Sequence, residues 1–145
     1  MSSVHIDTDK AKLQFDVIHG FISRTYWAKD IPAAVMRRAI DNSLCFGAYN
    51  QRGEQVAFAR VTTDYATFAY LADVFVLQHY QGQGIGKALI AEVVAHPELQ
   101  GLRRFMLATF DAHDLYRQFG FNAIDEPSIL MQRHNADIYQ PKEVG

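Results

Sequence analysis

The stretch His79-Tyr80-Gln81-Gly82-Gln83-Gly84-Ile85-Gly86-Lys87-Ala88-Leu89 decides how this chain is read. Three of its nine glycines stand on alternate positions here. A helical apolar stripe follows at once, with Ile85, Leu89 and Val93 at i, i+4 and i+8. Just before it, Thr67 to Leu77 reads as a long strand, apolar on both faces and therefore central in a sheet. A strand that ends in glycines and runs into a helix leaves unpaired N–H groups at the helix start, where the helix dipole favours an anion. Glycine removes the Cβ that would keep phosphate oxygens away. Lys87 in the first turn is unfavourable for the bare helix, and a bound anion would offset that.

Two common phosphate loops fail on spacing. A P-loop needs Gly, four residues, Gly-Lys and a hydroxyl residue; here Gln81 and Ala88 occupy its two ends. A dinucleotide fingerprint needs Gly-x-Gly-x-x-Gly, and the glycines are at 82, 84 and 86. From the glycines alone, an anion cradle and a plain strand-to-helix turn both remain open.

Working outward, Val4 to Asp7 gives a short strand and Leu13 to Ile22 a helix. Pro32 opens a second helix over "AAVMRRAIDNS". Leu44 to Tyr49 and Val56 to Val61 read as strands joined by a turn near Gly53, and Phe105 to Ala108 as another. Asp111 can cap a last helix, with Leu115 and Phe119 stacked and Gly120 as its stop. Phe121 to Ile124 and Ile129 to Gln132 read as final strands, and 134–145 as a loose tail. The order predicts an α/β (α+β) fold, with a mixed, mainly antiparallel sheet of about six or seven strands flanked by four helices.

Bulk properties set limits. The 145 residues fit one domain, 1–145. A formal net charge of -2 gives no reason to expect nucleic acid or an anionic membrane as partner. No secretory pattern is visible and no apolar run nears the ~20 residues of a membrane span, so a cytoplasmic location is expected. The single cysteine, Cys45, reads as a small core residue. The histidines lack metal-ligand spacing, so no metal is expected.

"QGQGIG" resembles the Gln/Arg-x-x-Gly-x-Gly/Ala signature of the GCN5-related N-acetyltransferases (GNAT). "LADVFVL" before it, "KALIAEVVAH" after it and "LATFDAHDLYRQFGF" further on resemble successive segments of that family, continuously over residues 56 to 121. The resemblance implies acetyl-coenzyme A as cosubstrate. Its pyrophosphate would lie on Gln81, Gly82, Gln83, Gly84, Ile85, Gly86 and Lys87, and its pantetheine arm along Phe75, Val76 and Leu77. It also implies direct transfer of acetyl to a primary amine of a small molecule or peptide. The alternative is a non-catalytic acyl-coenzyme A sensor, and a homodimer is expected from the habits of small members.

The chemistry poses two proton problems. An alkyl ammonium is less than about 0.1% neutral at pH 7, and the leaving thiolate is helped by a donor. Tyr116 stands at the family's general-acid tyrosine; the competing reading is a packed phenol. Asp73, a lone charge in an apolar strand, is the candidate base. By alternation it shares a face with Ala69, Leu71 and Phe75. It could equally be a hydrogen-bonded structural aspartate, or sit on a bulge that turns it outward. Asp111 occupies a coenzyme-contacting position where many members carry Asn, and it cannot donate. Tyr26, Trp27 and Asp30, between the first two helices, are candidates for acceptor binding or for pinning the loop.

Overall fold

The computed structural model describes residues 3–141. Its elements are β1 (His5–Asp7), α1 (Phe15–Ile22), α2 (Ala33–Asp41), β2 (Leu44–Tyr49), β3 (Gln55–Thr63), β4 (Phe68–Val76), α3 (Ile85–Ala95), β5 (Arg104–Leu107) and α4 (His113–Arg117). The five strands form one sheet in the order β1-β2-β3-β4-β5. The first four pair antiparallel; β4 and β5, joined through α3, pair parallel. β4 is internal, one strand in from the edge.

Alternation along the strands sorts the core into two layers. Ala57, Ala59 and Val61 of β3 join Ile85, Leu89, Ile90 and Val93 of α3 on one face. Phe58 joins Ile18, Ile22, Met36 and Ile40 of α1 and α2 on the other. Each fully buried side chain of this size contributes about 1.5–3 kcal/mol by leaving water, so the two layers hold the sheet from both sides. Cys45 is buried in the second layer, and burial pushes its thiol up to about 11, as a core residue requires. Gly47 in β2 has a packing reason: a Cβ there would stand 2.7 Å from Cζ of Tyr49, whose ring lies across it.

The sheet has five strands among the described residues, not six or seven. Phe121 to Ile124 forms no strand; Phe121 instead packs edge-on to Phe105, with centroids 5.3 Å apart. Ile129 to Gln132 forms none either. A 3-10 turn over Pro127–Ile129 interrupts it, and Ile129, Leu130 and Met131 stay exposed. A four-residue run that buries no face has nothing to hold it in a ladder. Within the expected tail, Tyr139 packs against the α1–α2 layer; residues 142–145 lie outside the described residues. No helix among the described residues is long and apolar enough to cross a membrane.

Candidate functional site

The site starts where β4 loses a neighbour. Its parallel ladder with β5 runs from Phe68↔Arg104 to Leu71↔Leu107 and stops, while β4 continues to Val76 on β3 alone. The cause is a bulge. Arg60 faces Ala72 and Phe58 faces Phe75, so Asp73 and Val74 together stand against Ala59. Asp73 takes the left-handed conformation, φ 55°. A bulge increases local twist and bends its strand. Beyond it, the edge of β4 toward β5 carries main-chain groups outside that ladder, across Phe75 and Val76.

The same bulge corrects the alternation expected for Asp73. Leu71 and Ala69 face the α3 layer, whereas Phe75 faces the α1–α2 layer. Asp73 turns to the side of Phe75 and Arg60, away from Ala69 and Leu71. There it is 8% exposed, and each oxygen is engaged. Oδ2 accepts from Arg60 Nε at 2.8 Å, and Oδ1 from Trp27 Nε1 at 2.9 Å. Left-handed backbone costs a non-glycine residue about 1–2 kcal/mol, and charge-assisted bonds of about 1.5–3 kcal/mol each offset it.

β4 delivers the chain into the glycine turn. Gly82 and Gly84 have φ 78° and 80°, which only glycine adopts without strain. Gln81 Nε2 donates to the carbonyl of Val76 at 3.0 Å, tying the turn to the strand end. Gly84 caps α3 with no side-chain bond to the first turn, so the N–H groups of that turn face outward from Ile85, Gly86 and Lys87. Gly86 lies against Val76. Leu77 closes the strand, its N–H donating to the carbonyl of Val56 at 2.9 Å.

Tyr116 lies on α4, 8% exposed, and its ring meets Phe121 edge-on at 6.0 Å. It borders a cavity of about 400 Å³ shared with Phe105, Leu107, Thr109 and Ile124. Burial first, and the charge of Asp111 second, raise its phenol above the usual tyrosine value. The phenol is therefore held neutral, the form that can donate. Asp111 itself does not cap α4: the cap is Ala112, and the hydroxyl of Thr109 accepts its N–H at 3.0 Å. A short hydroxyl already in place satisfies that donor, leaving Asp111 exposed.

In the loop between α1 and α2, Tyr26 and Trp27 are 71% and 46% exposed and meet edge-on at 5.1 Å. Tyr26 also meets Phe110, from the loop after β5, at 5.3 Å. The indole of Trp27 thus connects exposed rings to the buried Asp73. Asp30 sits further along the loop, exposed, with φ 63°. Sequence reasoning missed Arg60 and Phe110. Arg60 carried the signal that singled out Asp73, a lone charge inside an apolar strand; Phe110 carried none beyond its type. Among the described residues no group of three or more His, Cys, Asp or Glu could hold a metal ion.

A family model described as "Acetyltransferase (GNAT) family" matches residues 15–121. The Gibberella zeae protein FG08082, which bears an acetyltransferase name, is 36% identical over 133 residues, 77% of this chain and 74% of its own. GCN5-related N-acetyltransferase 2, chloroplastic, of Arabidopsis thaliana is 32% identical over 97 residues, 64% of this chain but 38% of its own. Among solved structures, a protein of Xanthomonas campestris pv. campestris assigned to the GNAT family superposes with TM-score 0.93 and 55% identity, over 97% of this chain and 99% of that one. Glucosamine-6-phosphate N-acetyltransferase of Arabidopsis thaliana shares the fold at TM-score 0.61 and 16% identity, over 92% and 99%.

Proposed function

This chain belongs to the GNAT acetyltransferase family and is an acyltransferase, and we propose that it moves acetyl from acetyl-coenzyme A to a primary amine of a small molecule or peptide by direct attack. One observation carries the reading: the unladdered stretch of β4 runs directly into a left-handed glycine turn and an uncapped helix start. That is a continuous backbone seat for an extended, amide-bearing arm followed by a diphosphate. Family membership supplies the acyl carrier, and the seat fits it.

In this reading Phe75, Val76 and Leu77 offer main-chain groups to the arm. Gln81 through Lys87 hold the pyrophosphate, with Gln81 bracing the turn through Val76. The acceptor attacks as the free amine and the proton it sheds passes to water, while Tyr116, neutral and raised further by burial, donates a proton to the departing sulfur and is reprotonated from solvent. Asp73 is buried and committed to Arg60 and Trp27, one bond on each oxygen, so we assign it to holding the acceptor side and not to removing the amine's proton. No activated nucleophile of the chain enters, and transfer needs no covalent enzyme intermediate.

The test is direct. The protein is incubated with acetyl-coenzyme A and a panel of amines, including peptides, polyamines and aminoglycosides, and free thiol is followed. Amine-dependent thiol release is expected. Tight acetyl-coenzyme A binding with no release across the panel would favour a sensor instead.

A further inference from the structure

Arg60 has no part in the acetyl-transfer reading above, yet it is the hub of a bonded chain that ends at the exposed rings. Its Nε donates to Asp73 Oδ2 at 2.8 Å, and Asp73 Oδ1 accepts Trp27 Nε1 at 2.9 Å. Its Nη1 reaches Ser43 Oγ at 3.2 Å and Thr62 Oγ1 at 3.3 Å, and Ser43 in turn donates to the carbonyl of Ala39 near the end of α2. The chain thus runs from α2 across β3 and β4 to the α1–α2 loop. Its far end is the indole of Trp27. The Arg60 and Asp73 side chains are 19% and 7% exposed, dry enough for the pair to hold its geometry.

We propose that Arg60 is a positioning residue for the acceptor: through Asp73 it fixes the Trp27 indole, which with Tyr26 and Phe110 forms a three-ring wall receiving an amine carried on a flat, apolar or aromatic skeleton. Tyr26 meets both Trp27 and Phe110, and the three rings, at 71%, 46% and 81% exposure in that order, present faces and edges to solvent instead of burying them. Flat rings bind such groups by offset or edge-to-face contact. The carboxylate behind the wall is matched in charge by Arg60, so the wall itself brings no unmatched charge to a polycation. The wall spans two loops that flank the unladdered end of β4, where the acetyl group is placed by the proposed transfer. The inference rests on that reading for its reaction and on the geometry alone for its binding.

The sole tryptophan makes the wall observable without turnover. Trp27 emission is titrated with phenethylamine and with spermidine, in the absence of acetyl-coenzyme A. Phenethylamine is expected to change the emission saturably and spermidine not to. Phe110→Ala should weaken phenethylamine about 2- to 10-fold, the range for one lost ring pair. Arg60→Met should shift Trp27 emission to the red and raise its acrylamide quenching, leaving the KM for acetyl-coenzyme A in place. Arg60→Lys, which keeps the charge, should recover part of both effects. Unchanged emission in Arg60→Met and Arg60→Lys would overturn the strut; spermidine binding in place of phenethylamine would overturn the acceptor class. If Trp27 responds but no amine is acetylated, the transfer reading falls and the wall stands.

Discussion

Between Phe75 and Lys87 the groups offered to a ligand are peptide groups, set by a bulge and two left-handed glycines. Between Tyr26 and Phe110 they are the ring side chains at 26, 27 and 110, held from behind by buried or half-buried side chains at 43, 60 and 73. The two ends of one site thus fail in different ways. The backbone end should tolerate changed side chains and fail when a torsion is forced. The side-chain end should tolerate small torsional changes and fail when one partner in the chain of bonds is removed. Tyr116 stands apart from both, as a buried phenol whose ring packs and whose hydroxyl is proposed as the proton donor.

The largest effect is expected at Tyr116. Tyr116→Phe keeps the ring against Phe121 and removes only the donor, so stability and acetyl-coenzyme A binding should hold. A general acid contributes roughly 10²- to 10⁴-fold, and kcat should fall by that order. A kcat within about 3-fold of the parent would remove Tyr116 from the reaction.

Next comes Gly84→Val, which tests the backbone end. A Cβ at Gly84 meets nothing within 4 Å, so crowding inside the protein is not the cost. The cost is the torsion: φ is 80°, and a side chain there loses about 1–2 kcal/mol. Acetyl-coenzyme A should bind about 10-fold more weakly or worse by calorimetry. Gly86→Ala is the control. Its φ is not in the left-handed range and its Cβ would meet Val76 Cγ2 at an ordinary 3.7 Å, so affinity should stay near the parent's. Equal loss in both would mean that space, not torsion, sets the turn.

Asp73→Asn tests the other end. The amide oxygen can still accept from Trp27, but Arg60 loses its counter-charge in a largely dry place. Denaturant unfolding should show about 1–3 kcal/mol less stability. The rise of rate with pH should persist, because Asp73 is assigned to bracing Trp27 and Arg60 and not to taking the amine's proton. If the rise flattens while stability holds, Asp73 is the base and the division between the two ends breaks down.

The same division explains what could be read in the sequence. The glycine turn, its helix and the strand before it were legible because each is local: spacing, an apolar stripe and conformational freedom act within a dozen residues. The strands over Leu44 to Tyr49 and Val56 to Val61 are legible for the same reason, whereas the division of the core into two layers appears only in the structure. The acceptor end was only half visible. Trp27 and Asp73 stand out singly, and a bulge at Asp73 is among the readings the sequence leaves open, but their bond spans 46 residues and no local pattern pairs them. By strict alternation Asp73 shares a face with Ala69, Leu71 and Phe75; one extra residue opposite Ala59 parts it from the first two and leaves it with Phe75. The two final strands failed for a complementary reason. Ile129 to Gln132 has strand-like residues, but Pro127 starts a turn and no face is buried, so propensity had nothing to act on.

The smallest effect expected is also the one that isolates a charge. Burial first and Asp111 second raise the Tyr116 phenol above its usual value, both by disfavouring the tyrosinate. A group raised in this way stays protonated, and able to donate, to higher pH. The alkaline fall of kcat should therefore lie above the ordinary tyrosine range of about 10. Asp111→Asn removes the second cause and keeps the first. The alkaline limb should move to lower pH yet remain above the ordinary value, while the rate at neutral pH is unchanged because the phenol is fully protonated in both proteins. High salt should shrink the difference between them, since Asp111 is exposed and its charge is screened. A limb that moves upward, or that does not respond to Asp111→Asn at low salt, would mean that the group titrating there is not Tyr116.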